Sequence, residues 1–345
     1  MGVFAASEFL NHEQVVFACD DTVGLKAVFA IHSTRKGPAL GGCRMWAYES
    51  EASALTDVLR LSKAMTYKAV MAGLKLGGGK VVIIADPKRD KTPALLQAMG
   101  QAVDRLGGRF IIAEDVGTTV SDTAEFRKTT NHVVGLPEEL GGSGDPSPTT
   151  AKGCLVGLQA CAEHVWKQAD LAGARVAIQG LGNVGWNLAQ LLNDAGAEIV
   201  VCDIHQSAIS RAETELGAKV VSPDAIYDVE ADVFAPCAMG AILNDETIPR
   251  LRARIVGGAA NNQLLGLEHA DRLQDRGILY APDYVINAAG MMRVASEKDG
   301  FDQGWVDKKI SNISGTLLEI FGEASRRSVS TEAASRIIAE ERLAH

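Results

Sequence analysis

The feature that most constrains the fold of this chain is a glycine motif that directly follows an apolar run in its second half. The run Ala174–Gln179 contains Val and Ile and predicts a strand. Gly180, Gly182 and Gly185 follow in a G-x-G-x-x-G pattern, and a helical pattern begins at Asn183. In such a motif the first glycine permits a tight turn, the second lets the backbone approach a pyrophosphate, and the third lets helix and strand pack closely. The segment therefore predicts a βαβ unit that binds a dinucleotide at a helix N-terminus.

An acidic residue in the expected place extends this prediction to the identity of the cofactor. The next predicted strand ends at Asp203, which lies 23 residues after Gly180, where a carboxylate can bind the ribose hydroxyls. Asp203 would repel the 2′-phosphate of NADP, and no Lys or Arg follows it until Arg211. The pattern therefore favours NAD over NADP. A glycine turn that binds no nucleotide is the alternative.

The organisation of the chain indicates an α/β protein with two domains. Its 345 residues suffice for two cores, and predicted strands alternate with amphipathic helices along most of its length. Breakers of helix and strand cluster between Leu140 and Pro148 and predict a hinge. We expect an N-terminal substrate-binding and catalytic domain over residues 1–140 and a doubly wound, Rossmann-type NAD-binding domain over residues 145–324. The C-terminal helices, residues 325–345, are expected to pack back across the cleft onto the first domain.

Several predicted elements bear directly on the candidate sites. In the first domain the pattern predicts a helix over Glu51–Ala72, a glycine-rich turn over Gly73–Gly79 and a strand over Lys80–Ala85. Three consecutive glycines in that turn are expected to let the backbone crowd a small ligand. In the second domain a helix over Ala151–Val165 follows the hinge, and Thr331 is expected to cap the last helix.

Composition argues against several classes of function. The chain has 34 Lys and Arg against 43 Asp and Glu, and its formal charge of −9 opposes binding to nucleic acid or to an anionic membrane. No apolar stretch is long enough to span a bilayer and the N-terminus lacks a secretion signal, so a cytoplasmic location is expected. The six cysteines form no CxxC pair, which favours buried free thiols over a metal site or a disulfide framework.

Two lysines flank the glycine-rich turn of the first domain. Lys68 lies near the end of the predicted helix, and Lys80 opens the next predicted strand. Where two lysines converge on one site, each makes protonation of the other costly. One can then stay charged and hold a carboxylate, while the other gives up its proton and serves as a base near neutral pH. A solvated surface charge is the alternative for each, and it is the expectation for Lys75 in the same turn.

Polar residues at predicted strand ends supply the remaining candidates. Glu114 and Asp115 come where a buried strand ends, the usual position of working residues in open α/β sheets. Asp115 is the better candidate because the chain turns at Val116-Gly117, although a turn or cap role is the alternative. Asn262 and Asn287 lie at strand ends of the second domain, where each could bind the nicotinamide amide or the substrate. A turn role is equally open for either residue.

Seven different short motifs follow one another along the chain: Gly37-Pro-Ala-Leu-Gly-Gly-Cys-Arg44, Met65-Thr-Tyr-Lys68, Gly77-Gly-Gly-Lys80, Ala113-Glu-Asp-Val-Gly117, Gly180-Leu-Gly-Asn-Val-Gly185, Ala260-Asn-Asn-Gln263 and Pro282-Asp-Tyr-Val-Ile-Asn287. In these motifs the sequence closely resembles the glutamate/leucine/phenylalanine/valine dehydrogenase superfamily, specifically its short branch that acts on hydrophobic amino acids. The resemblance implies NAD-dependent, reversible oxidative deamination of an L-amino acid to a 2-oxo acid and ammonia, in a cleft between two domains. It also implies a homo-oligomer, either a dimer or an octamer.

The resemblance implies a role for each matched residue. Lys68 and Asn262 would hold the substrate carboxylate. Lys80 would activate the water that attacks the imino carbon, and Asp115 would assist proton transfer at the amino group. Gly41 and Gly42 would line the substrate site. The implied cofactor-binding residues are Thr150 and Asn287 at the carboxamide, together with Gly180, Gly182, Asn183, Val184, Gly185, Asp203, Cys237 and Ala238.

The substrate is less strongly indicated than the reaction. The resemblance implies an apolar side-chain pocket formed by Leu40, Met65, Ala113, Met291 and Val294. No Lys or Arg is positioned there to meet a second carboxylate, so leucine, valine and isoleucine are favoured. Met291 is flexible enough to fit an aromatic side chain, which leaves phenylalanine or tryptophan dehydrogenase as an alternative. A non-catalytic NAD-binding regulatory protein is the alternative from another class, and Arg293 is expected on the surface.

Overall fold

The structure, a computed structural model, describes residues 3–345. The chain forms two compact units, and each unit contains one β-sheet with helices. The first unit contains residues 3–145, 293–303 and 342–345. The second unit contains residues 146–292 and 304–341. The chain first passes between the units after Asp145, inside the segment where the sequence predicts a hinge. The α/β class expected from the sequence is confirmed.

A five-stranded mixed sheet forms the centre of the first unit. Its strands are β1 (Gln14–Asp20), β2 (Leu25–Ser33), β3 (Ala39–Trp46), β4 (Gly77–Ile84) and β5 (Phe110–Glu114). Their order is β1-β2-β4-β3-β5, with β3 parallel to both β4 and β5. In this register Gly42 of β3 pairs with Ala113 of β5, and Cys43 pairs with Glu114, the last residue of β5. The end of β5 therefore lies level with the middle of β3.

Three helices pack on this sheet: α1 (Glu51–Met71), α2 (Pro93–Asp104) and α3 (Val120–Arg127). Ser50 and Thr92 cap the first two helices, because their side chains accept backbone N–H groups of the first turn. Alternate residues of β2 enter two different cores, as the period of a strand requires. Val28 packs with apolar residues of α1, whereas Phe29 packs with apolar residues of α2.

The glycine-rich segment of the first unit differs from its prediction. Gly77–Gly79 belong to β4, so Lys80 lies inside the strand instead of opening it. A Cβ atom on Gly78 would collide with the backbone of Thr66 in α1, and one on Gly79 would lie 2.7 Å from the ring of Phe110. These glycines therefore allow close packing of helix, strand and aromatic ring. The expectation that they also crowd a ligand stays a prediction.

A six-stranded parallel sheet forms the centre of the second unit. Its strands are β6 (Arg175–Gln179), β7 (Glu198–Cys202), β8 (Lys219–Val220), β9 (Val233–Pro236), β10 (Ile255–Val256) and β11 (Leu279–Tyr280). Their order is β11-β10-β9-β6-β7-β8, so the chain builds outward from β6 and then returns to add β9 on its other side. Ligands bind at the carboxyl ends of strands beside such a switch point. The doubly wound sheet expected for this half of the chain is confirmed.

The remaining helices are α4 (Ser147–Trp166), α5 (Asn183–Asp194), α6 (Gln206–Leu216), α7 (Glu268–Asp275), α8 (Asp283–Ile286), α9 (Ala289–Ser296), α10 (Gln303–Arg327) and α11 (Thr331–Ala344). Residues 304–341 belong to the second unit, whereas the sequence led us to expect residues 325–345 on the first domain. The reason lies in the contacts of α10: the rings of His164 in α4 and Phe321 in α10 lie 5.0 Å apart. Only residues 342–345 of the expected segment belong to the first unit.

The start of α11 is also held by the second unit. Thr331 is the first residue of this helix and its hydroxyl donates to the carbonyl of Tyr280 at 2.6 Å. The hydroxyl of Tyr284 donates to Ser335 at 2.8 Å. Thr331 therefore joins helix to strand instead of capping the helix as predicted.

Two further expectations concern the chain as a whole. All six cysteines are free, as expected. The expectation that all six are buried is wrong for two of them, because Cys19 is exposed and Cys237 is half-buried. Cys19 is exposed because it lies on β1, whose burial alternates along the edge of the sheet. Over residues 3–345, no helix is both long enough and apolar enough to cross a membrane.

Candidate active site and nucleotide site

Lys80 and Asp115 meet inside the first unit. Nζ of Lys80 lies 3.0 Å from Oδ2 of Asp115, and the two side chains are 6% and 23% exposed. Burial alone would raise the pKa of Asp115, but the charges of Lys80 and Arg44 outweigh it and hold that pKa below its usual range. The structure thus brings together the two residues that the sequence predicts as catalytic, with Asp115 ionised.

Arg44 belongs to the same cluster, although the sequence pattern indicates no role for it. Its Nε donates to Oδ2 of Asp115 at 2.9 Å, and its Nη1 donates to Asp57 at 2.9 Å. The hydroxyl of Tyr48 donates to the same oxygen of Asp57 at 2.6 Å. Burial lowers the pKa of Arg44, but the carboxylates of Asp115 and Asp57 raise it overall. Arg44 ends one of the seven motifs, but Asp57 and Tyr48 have no local sequence signal, and only the packing of α1 beside β3 brings the three residues together.

Gly42 lies directly beside the pair of Lys80 and Asp115. A Cβ atom on Gly42 would lie 2.8 Å from Cβ of Asp115, which is closer than side chains tolerate, and 3.3 Å from Nζ of Lys80. A Cβ atom on Gly41 would lie 2.8 Å from the backbone nitrogen of Lys80. Glycine at these positions therefore keeps the backbone of β3 close to both functional groups.

Five further candidates for substrate binding lie in the first unit: Lys68 and Met65 on α1, Leu40 on β3, Ala113 on β5 and Val294 on α9. Leu40 and Ala113 are buried, and the other three are half-buried. Ala113 pairs with Gly42 and is therefore next to the cluster. Lys68 lies in the last turn of α1, as expected.

Glu114 and Asp115 are neighbours in sequence but differ in their electrostatic environment. Burial raises the pKa of Glu114, the charge of Asp115 raises it further, and Lys80 only partly opposes both effects. The pKa of Asp115 moves in the opposite direction. Two acids whose pKa values are pushed apart in this way can serve different roles in acid–base chemistry.

The glycine loop between β6 and α5 has the geometry that the motif requires. Gly180 has a φ of +97°, and a Cβ atom there would lie 2.6 Å from Cβ of Ala238. A Cβ atom on Gly185 would lie 3.1 Å from Cβ of Cys237. Beside Gly182, by contrast, there is open space. Four predicted cofactor residues are thus in contact around the loop, and the loop faces space in which a pyrophosphate could lie.

Asp203 follows β7 and is hydrogen-bonded to that loop. Its Oδ2 accepts the N–H of Leu181 at 2.6 Å and its Oδ1 accepts the N–H of His205 at 2.8 Å. Arg211 forms an ion pair with Glu215 at 3.0 Å, and its guanidinium lies 3.7 Å from the centre of the Trp186 ring. The structure therefore places the acidic residue beside the glycine loop, as the predicted βαβ unit requires. Asn183 and Val184 begin α5 on the other side of the loop.

Asn287 is a buried amide with an unsatisfied acceptor. Its Nδ2 donates to the carbonyl of Ala259 at 3.1 Å and to Oδ1 of Asn261 at 2.9 Å. Its own Oδ1 is buried and accepts no hydrogen bond from any of residues 3–345. An unsatisfied buried acceptor is costly. The amide group of a nicotinamide is a donor that would satisfy it.

The remaining candidates of the second unit are Thr150, Asn262 and Met291. Thr150 lies in the first turn of α4 and donates to the carbonyl of Pro146 at 3.0 Å. Asn262 is exposed and has a φ of +51°, which few residues other than glycine adopt. Its neighbour Gln263 is buried and donates to two carbonyls of the same loop, each at 2.9 Å. Met291 is 7% exposed on α9.

Arg293 is not the simple surface residue that the sequence led us to expect. Its Nε donates to the carbonyl of Ser143 at 2.9 Å, and its guanidinium lies 4.8 Å from the centre of the Phe301 ring. The residue is half-buried. It therefore ties its helix to the segment that precedes α4.

Comparison with known families accounts for nearly the whole chain. Residues 11–132 match the family described as Glu/Leu/Phe/Val dehydrogenase, dimerisation domain. Residues 141–213 and 203–344 match the family described as Glutamate/Leucine/Phenylalanine/Valine dehydrogenase. The chain belongs to the Glu/Leu/Phe/Val dehydrogenase family. The resemblance identified from the seven motifs is confirmed, and the protein is an amino-acid dehydrogenase.

Individual members of this family are similar over most of their length. Leucine dehydrogenase of Geobacillus stearothermophilus is 48% identical over 99% of this chain and 94% of its own. Phenylalanine dehydrogenase of Caldalkalibacillus thermarum is 49% identical over the same shares, 99% and 94%. The structure of L-tryptophan dehydrogenase from Nostoc punctiforme superposes with a TM-score of 0.85 at 44% identity and covers 96% of each chain. Overall similarity therefore does not select one substrate.

The residues of the second unit fit NAD, the cofactor of this family. The open space beside Gly182 can accommodate the pyrophosphate, and Asp203 offers acceptors for the ribose hydroxyls. The orphaned Oδ1 of Asn287 can accept the carboxamide N–H. These observations concern three different parts of the cofactor, and each of them is consistent with NAD.

Proposed function

We propose that the protein catalyses the reversible oxidative deamination of hydrophobic L-amino acids, with leucine, valine and isoleucine preferred. In this reaction an L-amino acid, NAD⁺ and water give a 2-oxo acid, an ammonium ion, NADH and a proton. One observation carries the proposal: the contact of Lys80 with Asp115 beside Gly42, in a chain that belongs to a family of amino-acid dehydrogenases.

Lys80 and Asp115 perform the proton transfers in this proposal. Lys80 in its neutral form takes a proton from the water that attacks the imino carbon of the substrate. Asp115 assists proton transfer at the amino group. The 3.0 Å contact between the two side chains supports this division, as does the lowered pKa of Asp115, which keeps it available as an acceptor.

Other residues bind and orient the substrate. Lys68 and Asn262 hold its carboxylate, and Gly41 and Gly42 line the site. The position of Lys68 at the end of α1 supports its role, because a flexible cation at a helix end can reach an anion. The rigid loop around Gln263 supports the role of Asn262, because an exposed side chain on a fixed backbone is already oriented for binding.

The second unit holds the cofactor. Thr150 and Asn287 bind the carboxamide, and Asp203 binds the ribose. The pyrophosphate lies on the loop formed by Gly180, Gly182, Asn183, Val184 and Gly185, with Cys237 and Ala238 beside it. When bound, NAD accepts the hydride that leaves Cα of the amino acid.

The preference for aliphatic substrates rests on the residues proposed for the side-chain pocket, which are Leu40, Met65, Ala113, Met291 and Val294. All five are apolar, which favours an uncharged side chain over that of glutamate. A difference of one methylene in such a pocket is worth only about 1–3 kcal/mol, so overlapping activity on several aliphatic amino acids is expected. Phenylalanine or tryptophan dehydrogenase is the second candidate, because relatives with those names are 49% and 44% identical to this chain.

The decisive experiment measures NAD reduction with a panel of L-amino acids at alkaline pH. We expect leucine, valine and isoleucine to have the highest kcat/KM. If phenylalanine or tryptophan exceeds leucine and valine by about tenfold, a difference of roughly 1.4 kcal/mol, the aliphatic preference is wrong. If no amino acid reduces NAD, the proposed reaction itself is wrong.

We also propose that the protein is a homo-oligomer, either a dimer or an octamer. Residues 11–132 match a family described as a dimerisation domain, and this match supports self-association. Light scattering coupled to size exclusion tests this directly. A mass of 36.5 kDa, that of one chain, would contradict it.

A further inference from the structure

We propose that Arg44 is a positioning residue which shares the charge of Asp115 with Lys80 and so allows Lys80 to release and regain a proton in each turnover. This inference rests on the proposed function, in which Lys80 is the base. The geometry behind it has two parts. Two cations converge on one carboxylate oxygen, and a second carboxylate holds the outer cation in place.

The first part is the shared oxygen of Asp115. Nζ of Lys80 lies 3.0 Å from Oδ2 and Nε of Arg44 lies 2.9 Å from the same atom. Among the residues that the structure describes, both side-chain donors to Asp115 reach Oδ2 and neither reaches Oδ1. Because two donors from different strands fix one oxygen, the orientation of the carboxylate is set. Oδ1 is left to meet a substrate amino group.

The second part is the support behind Arg44. Nη1 of Arg44 lies 2.9 Å from Oδ2 of Asp57, and the hydroxyl of Tyr48 donates to that oxygen at 2.6 Å. The side chains of Arg44 and Asp57 are 22% and 15% exposed. Arg44 is therefore held at both ends of its guanidinium, by Asp115 towards the site and by Asp57 away from it. An arginine used only for packing would need neither carboxylate.

The chemistry of Lys80 explains why a second cation is useful. If Lys80 were the only partner of Asp115, the loss of its proton would leave a mostly buried carboxylate without a counter-charge, which is strongly unfavourable. A guanidinium keeps its charge throughout the accessible pH range. With Arg44 in place, Asp115 retains a cationic partner whether or not Lys80 carries its proton.

The other charged groups around the pair cannot replace Arg44. Glu114 on β5 is acidic, and burial and the charge of Asp115 raise its pKa, so it offers no positive charge. Asp122 on α3 is paired with Lys91 at 2.7 Å. Burial raises the pKa of the Cys43 thiol on β3, so it carries no charge. In the described chain, Lys80 and Arg44 are the cations within ion-pair distance of Asp115.

Two substitutions with opposite expected effects test the proposal. Arg44→Met removes a positive charge near Lys80, so Lys80 should hold its proton more tightly. The rising limb of kcat against pH for amino-acid oxidation should move up by about one pH unit. Asp57→Asn removes a negative charge but keeps an acceptor for Arg44, so the limb should move down by about half a unit.

Arg60→Met is the matched control. Arg60 is 59% exposed and lies 3.8 Å from Asp57, and the limb should stay within about 0.2 unit because exposed charges are screened.

A second readout does not depend on activity. Labelling of Lys80 by acetic anhydride, followed by mass spectrometry across a pH series, reports how readily its amine loses a proton. The labelling curve should shift upward in Arg44→Met and downward in Asp57→Asn. Melting temperatures and NAD binding identify any variant that is merely misfolded, and Asp57→Asn decides the question alone if Arg44→Met does not fold.

The outcomes separate this inference from the proposed function. Opposite shifts in the two variants support charge sharing, and they do so by labelling even if no amino acid reduces NAD and the proposed reaction is wrong. If the wild-type enzyme is active but both curves stay in place, or both variants shift them the same way, the role assigned to Arg44 is overturned. A lower kcat without a shift would indicate a purely structural residue and overturns it equally.

Discussion

The carboxylate of Glu297 accepts the backbone N–H of Gly135 at 2.8 Å. It also accepts the N–H groups of Leu136 at 3.2 Å and Ser143 at 2.9 Å, and the hydroxyl of Ser143. Arg293 donates to the carbonyl of the same serine at 2.9 Å. Within the first unit, one carboxylate therefore satisfies three backbone donors of the segment that leads towards α4.

Glu297→Ala should loosen this segment. Because several donors lose a charged acceptor, we expect the free energy of unfolding of the first unit to fall by roughly 2–4 kcal/mol. Limited proteolysis with mass spectrometry should place the first new cleavage between residues 135 and 145. The exposed neighbour Lys298→Ala serves as the control and should leave both measurements unchanged. An unaltered cleavage pattern in Glu297→Ala would contradict the prediction.

Lys80→Met tests the proposed base. We expect kcat for amino-acid oxidation to fall by about 10²–10⁴-fold, the usual contribution of a general base. NAD affinity, measured by fluorescence titration, should not change, because the proposed cofactor residues lie in the second unit. Lys75→Met removes an exposed lysine nearby in sequence and should keep wild-type activity. Activity retained in Lys80→Met would eliminate Lys80 as the base.

Asp203→Ala tests the basis of cofactor choice. The variant loses the acceptor proposed for the ribose and the hydrogen bond to the N–H of Leu181. We expect NAD affinity to fall about 10- to 100-fold, which corresponds to roughly 1.4–2.8 kcal/mol. NADP affinity should fall less or rise, because the repulsion of a 2′-phosphate is removed. Kd values for both cofactors are compared with those of the exposed control Asp194→Ala. Equal losses for NAD and NADP would show that Asp203 does not discriminate between them.

The parts of the fold that could be predicted from sequence have local signals. The strand, glycine loop and helix over 175–194 form close to their predicted bounds because β-branched residues favour the strand and the positive φ of Gly180 favours glycine at the turn. Asp203 is found for the same reason, since its spacing from the loop follows from the βαβ unit. Lys80 and Asp115 could be chosen because the sequence marks both positions locally, Lys80 beside a glycine cluster and Asp115 after a buried strand.

The parts that could not be predicted depend on packing between distant segments. The motif that ends at Arg44 gives that residue no role, Asp57 and Tyr48 belong to no motif, and only the position of α1 beside β3 joins the three. Three consecutive glycines have low strand propensity and therefore predict a turn at Gly77–Gly79. In the structure they belong to β4, where Thr66 and Phe110 come so close that no larger residue fits. The C-terminal helices show an amphipathic pattern that identifies a buried face but not the surface that buries it.

Glu332, in the first turn of α11, is an acid buried at 8% exposure in the second unit. Burial raises its pKa to about 8, the charge of Asp283 adds to this, and Arg336 opposes it. Asp283 itself accepts the backbone N–H of Gln263 at 2.9 Å. Tyr280 and Tyr284 also lie near this acid, and their pKa values are raised mainly by burial.

Glu332→Gln should therefore stabilise the protein at neutral and alkaline pH. The pKa of Glu332 in the folded state, about 8, lies above its unfolded value of 4.5, so the folded protein keeps a proton that the unfolded chain releases. Wild-type stability should fall as pH rises between those two values, by up to about 1.4 kcal/mol per pH unit, and then level off. Glutamine is uncharged throughout, so the advantage of the variant should be absent near the unfolded pKa, grow with pH and become constant above about pH 8. Melting temperatures across this range, with the exposed Glu213→Gln as control, check the sign. A variant less stable than wild type under alkaline conditions would show that Glu332 is charged and favourably paired in the folded protein.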